Sequence, residues 1–327
     1  MSSQVEIVFG GGSWYMEQAF EGLDKMKEAL LILAAEGVKI IDTSAFYMDS
    51  EAILGKLSAA KTHSIESKYP GGLTPTPSTK EGIIAAAEES LKKLGMEKFD
   101  VYYLHSPDRR VPFELQVEAM NTLYERGKIA RFGISNFFPN EVEEVIRIST
   151  EKNWIMPSVY QGGYSAVARR YETDLFPILR KHNIQFYGYA PSAGGFLAKS
   201  ADKLQSNDQG RWDPSNVMGA MHHTLFNKPA LLDGLRLWEK ISEESGIPNI
   251  ELAYRWVVHN SALRKGDKII FGARSLQQLQ ETLASIKKGP LSAEIGKRIE
   301  EVWKIAEKDS PRDNYNDGML KVMAQAA

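Results

Sequence analysis

The chain has 327 residues, a formal net charge of -2 and no cysteine. A near-neutral balance offers no electrostatic footprint for nucleic acid or an anionic membrane, and the lack of cysteine removes disulfides, thiolate catalysis and Cys-based zinc. No run approaches the roughly 20 apolar residues of a membrane span, and the opening MSSQVEIVFGG lacks the basic flank and apolar stretch of a signal peptide, so a soluble cytoplasmic protein is expected.

The first apolar run, VEIVFG at 5–10, predicts a strand, and helical spacing follows over 16–37 to a stop at Gly37. Strands are predicted next at 38–43 (VKIIDT), 63–68 (HSIESK), 100–105 (DVYYLH), 129–135 (IARFGIS), 158–161 (SVYQ), 184–190 (IQFYGYA) and 268–273 (KIIFGA). Between them, SEAILGKLSAA, STKEGIIAAAEESLKKLG, PFELQVEAMNTLYERG and NEVEEVIRISTEK read as helices. Ser78 before Glu81 and Asn140 before Glu143 carry the signal of an N-terminal cap. The interval from 190 to 268 is far longer than an ordinary crossover. Its first part, GGFLAKSADKLQSNDQGRWDPSN, reads as a polar loop and a candidate lid over 196–216. Its second part, KPALLDGLRLWEKISEESG and NIELAYRWVVHN, reads as two helices. After the eighth strand come two helices, SLQQLQETLASI and AEIGKRIEEVWKIAEK, then an irregular DSPRDNYNDGML. Eight strand–helix units with short loops predict one α/β domain over 1–327, a (β/α)8 TIM barrel with parallel strands.

Such barrels place their chemistry at the C-terminal strand ends. Asp42 ends the second strand, Tyr47 follows it, Lys68 ends the third and His105 the fourth. A free tyrosine titrates near about 10, too high for a good proton donor at neutral pH. A nearby ammonium stabilises tyrosinate, so Lys68 is expected to lower the Tyr47 pKa, with Asp42 holding Lys68. His105 can orient a carbonyl. Taken singly, Tyr47 reads as packing, Lys68 as a strand-end charge and His105 as a core histidine. Together at three strand ends they outweigh those readings. Ser135, Asn136 and Gln161 end the fifth and sixth strands and suit a carboxamide, though Ser-Asn is also a common turn pair. Tyr189 is either a core aromatic or a stacking surface. Gly272 and Arg274 precede a helix N-terminus after the eighth strand, where barrels bind phosphate. No G-x-G-x-x-G occurs, and Gly10-Gly11-Gly12 lacks its spacing, which argues against a Rossmann domain. His222-His223 lacks carboxylate partners, so no metal site is expected.

Asp42, Tyr47, Lys68 and His105 resemble the catalytic tetrad of the aldo-keto reductase superfamily. The stretches IIDTSAFYMDSEAILG, YYLHSPD, GKIARFGISNF, VYQGGYSAVARRYETDLFPILR and FYGYAPSAGGFLAK resemble its aflatoxin-aldehyde reductase branch. The resemblance implies a TIM barrel oxidoreductase that reduces aldehydes or reactive ketones with NADPH rather than NADH, and often a homodimer. It implies Tyr47 as acid, Lys68 and Asp42 as its tuners and His105 as the group orienting the carbonyl. To the cofactor it assigns Asp42, Ser135, Asn136, Gln161, Tyr189, Pro191, Ala193, Gly195, Arg211, Gly272, Arg274, Gln278 and Thr282. To the substrate it assigns Trp14, Tyr47, His105, Tyr164 and Trp212. Glu281-Thr282 depart from the Gln-Asn pair usual in the branch, and the tail departs from its usual ending. Two other classes use this architecture: a cofactor-binding regulatory subunit, as in potassium-channel beta subunits, and a Schiff-base aldolase or isomerase.

Overall fold

The computed structural model describes residues 5–205 and 212–326. Arg211 and Gly210, and with them the centre of the expected lid, lie outside the described residues. Eight parallel strands close into a ring in chain order: β1 (Glu6–Gly10), β2 (Ile40–Asp42), β3 (Ser64–Tyr69), β4 (Phe99–Leu104), β5 (Ile129–Ser135), β6 (Pro157–Gly163), β7 (Gln185–Tyr189) and β8 (Lys268–Phe271). β1 closes the ring on β8, with Glu6 opposite Lys268 and Phe9 opposite Phe271. The expected TIM barrel is present, with all eight strands where the apolar runs put them.

Strand side chains alternate between two faces. Val101 and Tyr103 of β4 join Val8, Val159, Tyr187 and Ile270 in a buried cluster that fills the barrel. Their neighbours Tyr102 and Leu104 belong to the larger core beneath the helices. The interior also carries three polar steps. Near the N-terminal end Arg131 bonds Asp100 at 2.5 Å and Gln185 at 2.9 Å, and Lys268 pairs with Glu6. Midway, the Tyr103 hydroxyl donates to Glu66 Oε2 at 2.7 Å. At the C-terminal rim sits the Asp42–Lys68 pair.

Helices α1 (Leu23–Ala35), α2 (Ser50–Lys56), α3 (Lys80–Leu94), α4 (Phe113–Glu125) and α5 (Pro139–Lys152) link β1 to β6. The short α6 (Tyr171–Asp174) and α7 (Phe176–Lys181) link β6 to β7. Among the described residues, four α-helices lie in the long interval before β8: α8 (Ala201–Gln205), α9 (Val217–Phe226), α10 (Pro229–Ser245) and α11 (Asn249–Arg255). After β8 come α12 (Leu276–Lys287), α13 (Ala293–Ala306) and α14 (Leu320–Ala326). No described helix is long and apolar enough to cross a membrane.

The structure corrects several boundaries. α1 starts at Leu23, not at residue 16, because Gly22 adopts φ +99°, a conformation that suits glycine, and turns the chain. The residues before it instead bury Phe20 against Trp14, ring centroids 5.4 Å apart. The cap of α3 is Thr79, whose Oγ1 accepts from the Gly82 amide at 3.0 Å. Ser78 spends both its amide and its hydroxyl on Asp108, at 2.7 and 2.9 Å. Asn140 lies inside α5, which is closed by the Glu141 carboxylate accepting from the Phe138 amide at 2.7 Å. α9 has no counterpart among the predicted helices. Asn216 caps it, accepting from Gly219 at 2.8 Å. The tail is ordered, not irregular: a π turn spans Tyr315–Met319 and leads into α14.

Candidate active site

β2 and β3 run in register with Asp42 opposite Glu66, so Lys68, two residues on, stands one layer nearer the rim. Its side chain is fully buried. The ammonium donates to Asp42 Oδ2 and to the Thr43 carbonyl, both at 2.7 Å. The second Asp42 oxygen accepts from Gln161 Nε2 of β6 at 2.8 Å. Two strands therefore clamp one carboxylate. A buried pair of this kind is strongly destabilising to break, since either partner alone is an uncompensated charge.

Tyr47 lies on the loop after β2. The loop is pinned by Thr43 Oγ1 and Ser50 Oγ at 2.8 Å and by Ser50 donating to the Gly11 carbonyl at 3.0 Å. The Tyr47 ring stands edge-on to the His105 ring at 5.4 Å and 83°, with its hydroxyl 3.4 Å from Nε2. Lys68 Nζ sits 5.1 Å from the centre of the Tyr47 ring. His105, just past β4, has Nδ1 2.9 Å from Ser44 Oγ.

Burial pushes the His105 pKa well below the usual histidine value, and the Lys68 charge adds to that, so the ring is neutral near pH 7. The Tyr47 phenol moves upward, first through burial and then through the Asp42 charge. The lowering expected from Lys68 is outweighed by these two effects. The ammonium is pinned to Asp42, and that carboxylate, itself disfavouring tyrosinate, offsets it. The result is a phenol that keeps its proton through the neutral range, beside a neutral imidazole.

The carboxamide candidates adjoin this group. Asn136 adopts φ +63°, a conformation asparagine tolerates better than most side chains. Its Nδ2 donates to the His105 carbonyl at 2.8 Å and to Ser135 Oγ at 3.1 Å, and its Oδ1 accepts from the Tyr189 hydroxyl at 3.0 Å. Gln161, with Nε2 engaged by Asp42, keeps a carbonyl oxygen that accepts no hydrogen bond among the described residues. Tyr189 is half-buried. After β7, Pro191 and Ala193 are buried, while Gly195 lies near the Trp212 indole. After β8, Gly272 and Arg274 are exposed. The Arg274 amide donates to Gln278 Oε1 at 2.8 Å, and Ser275 caps α12. The Arg274 guanidinium makes no ion pair among the described residues. Thr282 is buried on α12.

The substrate candidates divide. Tyr47 and His105 meet at the rim. Trp14 is fully buried between Phe9 and Phe20. Tyr164 is buried among Phe176, Phe186 and Trp256, with its hydroxyl donating to Glu172 at 2.6 Å. Trp212 is buried too, its indole N–H bonded to the Gly194 carbonyl at 3.1 Å and its ring stacked on His222. These three offer the rim no open face, because each is used to fill space between loops and core. Among the described residues no group of His, Asp and Glu is arranged to hold a metal ion.

Three residues at the site are not among those the sequence singles out. Ser44 contacts His105. Phe46, partly exposed, stands edge-on to the same imidazole at 6.3 Å. Asn316, from the tail, donates Nδ2 to the Asn136 carbonyl at 2.9 Å, while the Asn314 amide donates to the Tyr189 hydroxyl at 3.3 Å. Only the position of Ser44 and Phe46 beside Tyr47 in TSAFY pointed toward them.

A neutral acid beside a neutral hydrogen-bond donor, backed by a buried ion pair, suits proton delivery to an oxygen that gains negative charge. Comparison with known proteins shows what the chain is similar to. The model of the aldo/keto reductase family matches residues 6–304. The oxidoreductase sirO of Leptosphaeria maculans is 33% identical over 316 residues, covering 93% of this chain and 95% of that protein. Aflatoxin B1 aldehyde reductase member 4 of Homo sapiens is 34% identical over 291 residues, covering 84% and 87%. An aldo-keto reductase of Pseudocercospora fijiensis is 38% identical over 232 residues, covering 69% and 77%.

Proposed function

The chain belongs to the aldo/keto reductase family, and on that footing we propose that it is an NADPH-dependent reductase of aldehydes, reactive ketones or dicarbonyls, with Tyr47 as the proton donor. The observation that carries this reading is the stacking of functions at one rim. The buried Asp42–Lys68 pair lies under the Tyr47 ring, and His105 Nε2 is 3.4 Å from the phenol oxygen.

The donor set fits a nicotinamide. An uncommitted Gln161 carbonyl oxygen can accept from an amide NH2, the Ser135 and Asn136 side chains stand beside it, and the half-buried Tyr189 offers a ring face. When bound, that cofactor supplies the hydride. The rest belongs to the chain. His105 holds the carbonyl oxygen by a hydrogen bond. Tyr47 passes its proton to that oxygen as negative charge develops there, and the Lys68 ammonium beneath the ring supports the phenolate that results. Asp42 keeps Lys68 in place. Arg274, exposed and without an ion pair among the described residues, is the cation we assign to the 2′-phosphate, and it supports NADPH over NADH.

The test is direct. The purified protein is mixed with NADPH and a panel of aromatic, aliphatic and dicarbonyl aldehydes, and cofactor oxidation is followed. Carbonyl-dependent oxidation with the matching alcohol as product is expected. Cofactor binding without oxidation by any carbonyl would overturn the proposal in favour of a binding subunit.

A further inference from the structure

Ser44 is fully buried, and its hydroxyl oxygen has three neighbours. The Phe46 amide donates to it at 3.1 Å, His105 Nδ1 lies at 2.9 Å and the Lys68 carbonyl at 3.4 Å. The hydroxyl has one proton to give. A neutral imidazole likewise has one N–H, and the partner of one ring nitrogen decides where it sits. Hydroxyl hydrogen bonds to oxygen cluster at about 2.5 to 3.0 Å, so the Lys68 carbonyl is too distant to compete well for the Ser44 proton. That proton goes to Nδ1. The imidazole N–H is then on Nε2, the nitrogen facing Tyr47.

Resting on the proposed reductase chemistry, we propose that Ser44 is a positioning residue that fixes His105 in its Nε2–H tautomer. In that state His105 is a donor toward the rim and cannot take the Tyr47 proton. In the opposite tautomer a bare Nε2 would accept from the phenol, and the proton needed by the substrate oxygen would be held by the imidazole. One buried hydroxyl thereby decides whether the Tyr47–His105 contact presents two donors to the carbonyl oxygen or closes on itself. No proton moves through Ser44 during reduction. It acts before the reaction, by selection of the tautomer.

Nitrogen-15 histidine spectra of the NADP-loaded protein near neutral pH test this without turnover, the His105 signals being identified by their loss in His105→Gln. The expected result is the Nε2–H pattern in the native protein and a shift toward Nδ1–H in Ser44→Ala, with Ser44→Thr, which keeps the hydroxyl, restoring the native pattern. Steady-state reduction by Ser44→Ala should show kcat lower by about tenfold, the worth of one neutral hydrogen bond, with KM and NADPH affinity little changed. An Nδ1–H pattern in the native protein, or an unchanged pattern in Ser44→Ala, overturns the inference, as does full kcat in a variant whose tautomer has moved. If no carbonyl is reduced by the native protein, the reductase reading falls while the tautomer measurement still stands or fails by itself.

Discussion

The Asn316 side chain donates to the backbone carbonyl of Asn136 at 2.9 Å, joining two residues 180 positions apart. Asp313 braces the same amide at 2.8 Å. The tail therefore holds Asn136 in its left-handed conformation, and Asn136 in turn holds Ser135 and Tyr189. Asn316→Ala should weaken NADPH binding by about 3- to 10-fold, the cost of one buried hydrogen bond, with a smaller effect on kcat. A fluorescence titration of the cofactor measures this. Equal affinity in both proteins would mean that Asn136 keeps its place unaided.

Removing the proposed proton donor should be more drastic. Tyr47→Phe is expected to reduce carbonyls at least ~100-fold more slowly than the native protein while binding NADPH normally. Because burial and Asp42 push the phenol upward and burial pushes His105 downward, both stay neutral through mid-range pH. The rate of the chemical step in the native protein should accordingly be flat across neutral pH, and alcohol oxidation, which needs the phenolate, should rise with pH. A reduction rate that falls steeply through neutral pH would contradict this picture.

Lys68→Met leaves Asp42 as a buried carboxylate whose cation is gone. Breaking such a pair typically costs roughly 3–5 kcal/mol. The double variant Asp42→Asn with Lys68→Met removes both charges and should unfold closer to the native protein than Lys68→Met alone. Denaturant unfolding of the four proteins forms a cycle. Additive losses would show that the two charges do not depend on each other.

Arg274→Ala should weaken NADPH binding about tenfold or more, since hydrogen bonds to charged groups contribute roughly 1.5 to 3 kcal/mol, and should leave NADH nearly unaffected. Equal weakening of both cofactors would move the guanidinium to the shared pyrophosphate.

Glu66 gives the fold a pH signature. Burial raises its pKa to about 7 from the ordinary 4.5. The Tyr103 hydroxyl and Arg131 pull it down, and Asp42 and Asp100 push it up. The folded state holds the proton more tightly than the unfolded one, so this contribution is full below pH 4.5 and is lost as pH rises through about 7. Across that window the native protein should lose roughly 1.4 kcal/mol per pH unit relative to Glu66→Gln, and nothing further above it. Parallel stability curves for the two proteins would refute the shift.

The barrel was legible because parallel strands are buried on both faces and read as apolar runs. DVYYLH and VKIIDT could hardly be anything else, and a polar residue at the end of such a run, Asp42, Lys68 or His105, stands out against it. What could not be read depended on distant partners. Ser44 matters through a residue 61 positions away and Asn316 through one 180 away, and neither has a local pattern. Ser78 looked like a cap until Asp108 claimed it. Trp14, Tyr164 and Trp212 have the chemistry of a binding surface, and only packing turns them inward.

The ring closed between β1 and β8 also sets a schedule for the chain as it is made. Asp42, Tyr47, Lys68 and His105 are all synthesised within the first third of the polypeptide, yet β1 finds its second neighbour only when Lys268–Phe271 emerges. Until then β1 and β7 each carry a naked hydrogen-bonding edge. The thermodynamic penalty for joining ends so far apart is small, because closure entropy grows only logarithmically with length. The kinetic burden is larger, since distant pairings form slowly. A nascent chain long enough to contain Asp42, Tyr47, Lys68 and His105 thus still lacks the strand that closes the ring.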